Sequence, residues 1–192
     1  MTRADLLGQL MTNYKTSIAV SGTHGKTSTT SMASHILLAA EKDPTISVGG
    51  ILKAIHGNIR VGGHDTFITE ACEYTNSFLS FFPTISIILN IDADHLDFFK
   101  DIDDIRHSFR LFAEKLPENG ILIINSDIPN YEEITKGLPC RTVTYGSSAD
   151  SEYSASDITF DDHAHPTFTF VKKSSLWLRF PSRFRASTTS WN

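Results

Sequence analysis

Short apolar runs alternate with helix-like stretches as far as about residue 145. The apolar runs lie at 17–20, 66–69, 85–89 and 121–124, with a weaker one at 141–145. Short continuous apolar runs bounded by polar residues are typical of strands buried on both faces of a sheet. Residues 27–40 between the first two runs predict a helix. Strands that alternate with helices favour an α/β fold, with a mostly parallel P-loop-type sheet and helices on both faces.

The clearest helical periodicity lies between residues 102 and 116. The apolar positions at helical spacing are Ile102, Ile105, Phe109, Phe112 and Leu116, and the polar face carries Arg106, His107 and Arg110. Such spacing predicts an amphipathic helix that packs its apolar side on the sheet. We interpret the aromatic positions as core packing rather than as a ligand-binding stripe. Pro117 to Gly120 predicts the end of this helix.

The segments without a clear strand or helix pattern indicate where the domain ends. Gly49-Gly50 and Gly62-Gly63 flank a segment, 51–61, that resembles a short hairpin or flap. Residues 147–165 are rich in Ser and Asp, and 167–171 alternate like an edge strand. Residues 174–192 contain no acidic residue and show no useful period. We therefore expect an ATP-binding central domain over 1–173, with its core at 15–146, and an aberrant or disordered tail over 174–192.

A phosphate-binding turn follows the first predicted strand. Residues 22–27 read Gly-Thr-His-Gly-Lys-Thr and lead directly into the first predicted helix. Backbone N–H groups of such a turn and the helix N-terminus attract phosphate, the lysine reaches the outer phosphates, and the threonine hydroxyl suits Mg²⁺. The turn is a shortened variant of the usual motif, because Val20 stands where that motif has its first glycine. The alternative is an ordinary glycine turn.

Carboxylates and a histidine follow the next two predicted strands. Glu70 and Glu73 come after 66–69, and residues 90–97 after 85–89 read Asn-Ile-Asp-Ala-Asp-His-Leu-Asp. A carboxylate at the end of a buried strand is costly unless it faces a cation, and hard oxygen ligands suit Mg²⁺. His95 could bind a metal through a neutral nitrogen, with Asp94 or Asp97 fixing its tautomer. The alternatives are solvated loop acids and a structural histidine.

His24 and the segment 125–127 also lie near these strand ends, and each has two possible interpretations. His24, within the phosphate-binding turn, either donates to a phosphate or a second substrate, or simply fills the turn. Asn125-Ser126-Asp127 follows the strand at 121–124 and either contacts the nucleotide or, as we favour, caps a helix N-terminus.

Composition narrows the class of protein. The 192 residues are 40% hydrophobic and 20% charged, as in soluble globular proteins. A formal net charge of −5, and the absence of a basic run before residue 172, argue against nucleic-acid binding. Cys72 and Cys140 lack metal-ligand spacing, which favours free thiols in the cytoplasm. No signal-peptide layout or membrane-length apolar run is present in the sequence, so we expect no membrane insertion.

In their order and spacing, the motifs at 22–27, 70–73 and 90–97 resemble the Mur ligases of peptidoglycan synthesis. The likeness covers about residues 3 to 171. It implies an ATP-dependent ligase that joins L-alanine to UDP-N-acetylmuramate through an acyl phosphate. The branch that joins a recycled tripeptide to the same sugar nucleotide shares much of the pattern.

The resemblance also implies residue roles, with ATP and Mg²⁺ as cofactors. Lys26 would bind the β- and γ-phosphates, Thr27 and Glu70 would hold one Mg²⁺, and His95 would hold another. Lys26, Glu70 and His95 would thus be the catalytic residues, and Glu73 a supporting acid. The nucleotide-binding residues would be Gly22, Thr23, His24, Gly25, Lys26, Thr27, Ser28 and Asn90.

Family members have three domains, and the chain resembles the central one alone. The expectation is therefore that the isolated chain does not catalyse ligation. The adenine-contacting segment of the family, Pro-Val-Pro-Gly-x-His-Asn, is expected after residue 175 and is absent. Permitted codons for residues 182–190, read in a shifted frame, encode Pro-Val-Pro-Gly-Ile-His-Asn-Ile, so we hypothesise a frameshift after about Lys173. Two alternatives to a ligase are a non-catalytic Mg-ATP-binding remnant and an unrelated P-loop ATPase or switch.

Overall fold

A computed structural model describes residues 1–173 and the backbone of residues 175–181. Contacts divide the chain into two compact units, the first running from Met1 to Thr142 and the second beginning at Val143. Among the described helices, none is long and apolar enough to cross a membrane.

The first unit is a parallel sheet flanked by helices. Its strands are β1 (Thr16–Ser21), β2 (Thr45–Leu52), β3 (Gly57–Arg60), β4 (Thr66–Glu70), β5 (Ile85–Ile88) and β6 (Ile121–Asn125). Its helices are α1 (Arg3–Met11), α2 (Lys26–Ala39), α3 (Ile102–Ala113) and α4 (Tyr131–Thr135), with 3₁₀ turns at Lys53–Ile55 and Tyr74–Ser80. The strand order is β6-β5-β1-β4-β2-β3, and β3 alone of these six strands runs antiparallel to its neighbour. The predicted α/β fold with a mostly parallel sheet is confirmed.

Both faces of this sheet are buried, which explains the continuous apolar runs in its strands. Val20 and Ile68 belong to a cluster that Ala33 and Leu37 of α2 cover. Their strand neighbours Ala19 and Phe67 point to the other face and belong to a larger cluster, which includes residues of α1, α3 and α4. The predicted helices on both faces are therefore present.

Helix α3 packs its aromatic stripe into the larger cluster, as predicted. Phe109 and Phe112 are fully buried, and both rings contact Phe78, one edge-on and one stacked. The side chain of Asp101 accepts hydrogen bonds from the N–H groups of residues 103 and 104 and so caps the helix. Burying one Phe side chain is worth roughly 1.5–3 kcal/mol, so this stripe anchors α3 to the sheet.

The predicted hairpin at 51–61 is only part of the observed one. Strand β2 begins at Thr45, and its residues Ile46 and Ser47 pair in parallel with β4 on one edge and antiparallel with β3 on the other. The sequence did not indicate this strand because Gly49-Gly50 interrupts it, and glycine pairs usually mark turns. The ladder between β2 and β3 also shifts register between Ser47 and Leu52.

The second unit contains the end of β7 (Arg141–Gly146) and the strands β8 (Tyr153–Phe160), β9 (Pro166–Lys172) and β10 (Ser175–Pro181). β8 pairs in parallel with β7, and β9 pairs antiparallel with β8 and β10. The strand predicted at 167–171 is therefore not an edge strand. Strand β8 was missed because its residues are mostly exposed and carry no apolar alternation.

The tail predicted as aberrant or disordered over 174–192 needs a correction at its start. Residues 175–181 form β10, because main-chain pairing with β9 does not require an apolar period in the sequence. Residues 182–192 lie outside the described residues, so that part of the expectation stays a prediction, as does the frameshift.

Candidate active site

The three motifs meet at the carboxyl ends of adjacent strands. Strand β1 lies between β4 and β5, so the segments that follow these strands are neighbours. The N–H of Ala71 donates to Val20 O (2.8 Å), and the N–H of Thr23 donates to Asn90 O (3.2 Å). Ligands of open parallel sheets bind at this edge. The fold thus assembles one candidate site from the residues between 22 and 95.

Two glycines shape the phosphate-binding turn. Gly22 has φ 142° and Gly25 has φ 82°, both in the region that favours glycine. A Cβ at Gly22 would lie 3.0 Å from Leu89 Cβ and 3.2 Å from Asn90 N, so a side chain has no room there. Gly25 precedes the first turn of α2, and Ser28 lies exposed in that turn. The turn is therefore a compact loop that ends at a helix N-terminus, a ready site for an anion.

Asn90 holds the turn in place. Its side-chain oxygen accepts from the N–H of His24 (2.7 Å), and its side-chain nitrogen donates to His24 O (2.9 Å). Thr23 adds a second connection, since its hydroxyl accepts from the N–H of Asp92 (2.9 Å). Asn90 thus supports the turn from β5. Its direct contact with a nucleotide stays a prediction.

The His24 ring does not fill the turn. Its side chain is 67% exposed, and its Nε2 lies 3.9 Å from a carboxylate oxygen of Asp92. Of the two interpretations from sequence, the geometry favours the one in which the ring is accessible to a ligand. A role for His24 in nucleotide binding stays a prediction.

Lys26 is folded back against its own turn and against a buried acid. Its Nζ donates to Gly22 O (2.6 Å) and lies 2.8 and 3.2 Å from the two carboxylate oxygens of Glu73. The Glu73 side chain is 2% exposed. The alternative of a solvated loop acid is therefore wrong for Glu73, because its charge is buried and neutralised by the lysine.

Thr27 and Glu70 form a pair of oxygen ligands beside the turn. The Thr27 hydroxyl donates to Glu70 Oε2 (3.0 Å), and the N–H of Gly49 donates to Glu70 Oε1 (2.5 Å). The half-buried Glu70 is thus fixed by β2 and aimed at the first turn of α2. Hard oxygen donors in this arrangement fit Mg²⁺, which takes one or two protein ligands and completes its shell with water and phosphate oxygens.

His95 lies on the other side of Glu73. Its Nε2 is 3.7 Å from Glu73 Oε1, and its ring packs on Tyr74 with centroids 4.6 Å apart. The Tyr74 hydroxyl donates to Asp97 (2.8 Å), and this hydrogen bond raises the pKa of Tyr74 above its usual value. His95 adopts φ 53°, and the Asp94 carboxylate accepts a hydrogen bond from the backbone N–H of His95 (2.7 Å). Asp97 therefore orients Tyr74 rather than His95.

No three His, Cys, Asp or Glu side chains converge as a metal cage within the part of the chain that the structure describes. The donors come instead as the Thr27–Glu70 pair and the Glu73–His95 pair. Two ligands at each place are consistent with Mg²⁺ ions that take their remaining ligands from phosphate oxygens and water. The metal roles of Thr27, Glu70 and His95 stay predictions.

A cavity of about 260 Å³ opens beside Glu70. Residues that line it include Arg3, Leu7, Ser47, Glu70, Cys72 and Ser77. The cavity was not predicted from the sequence, because helix α1 was not assigned. A signal for α1 was present: Thr2 and Asp5 form a capping box, with each side chain accepting from the other residue's N–H.

Asn125 does not cap a helix in the structure, and the alternative that residues 125–127 contact the nucleotide stays a prediction. Its side-chain nitrogen donates to Leu89 O (3.1 Å), and its side-chain oxygen accepts from the N–H of Asp127 (2.9 Å). Helix α4 begins later, and its first turn follows Asn130, which makes no side-chain cap. The predicted N-cap at 125–127 is therefore wrong, since Asn125 braces the end of β6 against β5.

Comparisons with known proteins identify the family. A family model described as the Mur ligase middle domain matches residues 20–187. The chain belongs to the Mur ligase family. It is 64% identical over 172 residues to the UDP-N-acetylmuramate–L-alanine ligase of Lachnospira eligens, a match that covers 89% of this chain and 38% of that protein.

Two solved Mur ligase structures are similar to this chain. The UDP-N-acetylmuramate-alanine ligase of Thermotoga maritima is 27% identical with a TM-score of 0.74, over 89% of this chain and 37% of that one. A UDP-N-acetylmuramate:L-alanyl-gamma-D-glutamyl-meso-diaminopimelate ligase from Neisseria meningitides has a TM-score of 0.78 at 21% identity, over 93% and 58%, and shows the fold alone. The chain spans about 38% of the length of the curated relative.

Proposed function

We propose that this chain is the ATP-binding central domain of a cytoplasmic ligase that joins L-alanine to UDP-N-acetylmuramate in peptidoglycan synthesis. The observation that carries the proposal is the Thr27–Glu70 contact of 3.0 Å at the start of α2. This contact supports the proposal because Thr27 and Glu70 carry hard oxygen donors, the kind that Mg²⁺ prefers, beside the predicted phosphate-binding turn. The 64% identity to a curated L-alanine ligase supports the choice of substrates.

Each residue of the site has a role in this proposal. The turn 22–25 and the first turn of α2 bind phosphate oxygens through N–H groups, and Lys26 binds the β- and γ-phosphates. Thr27 and Glu70 would hold one Mg²⁺ and His95 a second; bound Mg²⁺ supplies positive charge that stabilises the transferring phosphoryl group. Positioning and charge dominate phosphoryl transfer, so no protein nucleophile is required.

The reaction is a two-step amide synthesis. A carboxylate oxygen of UDP-N-acetylmuramate attacks the γ-phosphorus of ATP and ADP leaves, giving an acyl phosphate. The amine of L-alanine then attacks the acyl carbon, phosphate leaves, and the nitrogen loses a proton. The cavity beside Glu70 suits the acid substrate, because Arg3 lines it and offers a cation to an anionic group.

The test is the dependence of ATP turnover on substrate in the protein that carries this chain. We expect phosphate release when ATP, Mg²⁺, UDP-N-acetylmuramate and L-alanine are all present, and little when the sugar nucleotide is omitted. Release that is independent of the sugar nucleotide would indicate an unrelated P-loop ATPase. Nucleotide binding without any turnover would indicate a non-catalytic remnant. Turnover with a tripeptide but not with L-alanine would indicate the recycling branch.

A further inference from the structure

Glu73 is the carboxylate of this site whose surroundings most need an explanation. It is among the largest fully buried side chains of the described residues. A buried carboxylate without a partner is strongly unfavourable, so its position depends on the positive group that faces it. That group is Lys26 Nζ at 2.8 Å; the His95 ring lies further away, with Nε2 at 3.7 Å.

Lys26 has no spare donor in this arrangement. Its ammonium group has three N–H donors, and the acceptors around it are Gly22 O, Thr23 O (3.3 Å) and both Glu73 oxygens. Only 16% of its side chain is exposed. Lys26 must therefore give up at least part of this set before it can bind a phosphate. Its contact with Glu73 is the charged one, and charged hydrogen bonds are the strongest of the set.

We propose that Glu73 is a positioning residue that holds Lys26 against the turn and competes with polyphosphate for it. The inference rests on the proposed function, in which Lys26 binds phosphate. When polyphosphate takes the lysine, the His95 ring is the polar group that remains beside Glu73, with Nε2 at 3.7 Å. Glu73 lowers the affinity of the turn for phosphate and keeps the lysine ordered.

The first experiment measures binding of tripolyphosphate without divalent metal, by isothermal titration calorimetry with EDTA present. This probe needs neither adenine contacts nor Mg²⁺. We expect Glu73→Gln to tighten binding about tenfold, because the competing charge is gone while the side chain keeps its size. A folded Glu73→Gln protein with unchanged or weaker binding would overturn the proposal.

A double-mutant cycle separates this role from simple repulsion between Glu73 and phosphate. We expect Glu73→Gln to have almost no effect on affinity when Lys26 is already Ala. An equal effect with and without Lys26 would show that Glu73 acts directly on the anion, which contradicts the proposal. Thermal unfolding of each variant identifies proteins that are folded. Should Glu73→Gln not fold, Glu73→Asp keeps the charge but withdraws it from the lysine, and the same tightening is expected to a smaller extent.

The cycle also distinguishes failure of this inference from failure of the proposed function. If Lys26→Ala leaves tripolyphosphate binding unchanged, Lys26 does not bind phosphate and the proposed function is contradicted. If Lys26→Ala weakens binding but Glu73→Gln does not tighten it, only the role proposed for Glu73 is contradicted.

Discussion

At the scale of single residues, the site depends on side chains that are held before any ligand arrives. Gly49 N–H fixes Glu70, and Asn90 fixes the turn. Groups that are preorganised in this way need little rearrangement when charge develops during reaction. Lys26 differs, because it has to leave Glu73 before it binds phosphate. The residues that hold these groups therefore matter as much as those that would touch the nucleotide.

The Thr27–Glu70 pair predicts a magnesium-specific effect. Thr27→Val removes the hydroxyl but keeps the shape of the side chain, so Mg-ATP should bind about tenfold more weakly, because a metal ligand is lost. Binding of ATP in EDTA should change little. Calorimetric titration with and without Mg²⁺ measures both. Ser31→Ala, in the following turn of α2, is the control that should leave Mg-ATP binding unchanged. Equal losses in both conditions for Thr27→Val would contradict the metal role.

The two cysteines predict different reactivity. Cys72 is exposed and lines the cavity beside Glu70, whereas Cys140 is buried, and burial raises the pKa of its thiol. Because the thiolate is the reactive form, iodoacetamide at pH 8 should alkylate Cys72 much faster than Cys140. Peptide mass spectrometry measures the two rates. Faster labelling of Cys140 than of Cys72 would contradict the burial of Cys140.

At the scale of elements, the apolar pattern of the sequence was sufficient to predict the helices and strands whose side chains are buried. The strands at 16–21, 66–70, 85–88 and 121–125 and helix α3 follow from their buried residues. β2 and β8 did not follow, because a glycine pair interrupts one and the other is stabilised by main-chain pairing with few buried side chains. Likewise, the phosphate-binding turn is a local motif, whereas the pairing of Lys26 with Glu73 joins residues far apart in sequence.

The cap of α3 gives a test at this scale. Asp101→Ala removes the side-chain acceptor for two N–H groups at the helix start and should lower the free energy of unfolding by about 1 kcal/mol. Urea denaturation measures this change. Asp103→Ala, which removes an exposed pairing with Arg106, should cost less than about 0.5 kcal/mol. Neither change should alter nucleotide affinity, since α3 lies outside the site. A larger loss of unfolding free energy for Asp103→Ala than for Asp101→Ala would contradict the capping role of Asp101.

At the scale of the molecule, the first unit contains all the residues of the candidate site. The segments after β1, β4 and β5 converge because β1 is central in the sheet, and this convergence is a property of strand order rather than of any one motif. The second unit contributes none of the predicted site residues, which lie between 22 and 95. If the proposed function is correct, nucleotide binding is required to depend on the carboxyl edge of this sheet.

Calorimetric titration of this chain with Mg-ATP tests that requirement most directly, with Lys26→Ala compared with Lys15→Ala. The Lys15 side chain is 82% accessible, so anions can reach it, but Lys15 lies at the amino end of β1, on the opposite edge of the sheet. We expect Lys26→Ala to weaken binding about tenfold or more, because a charged contact to phosphate is lost. Lys15→Ala should bind like the unaltered chain. Equal affinity of both variants, or a loss confined to Lys15→Ala, would contradict the assignment of the turn 22–27 as the phosphate site.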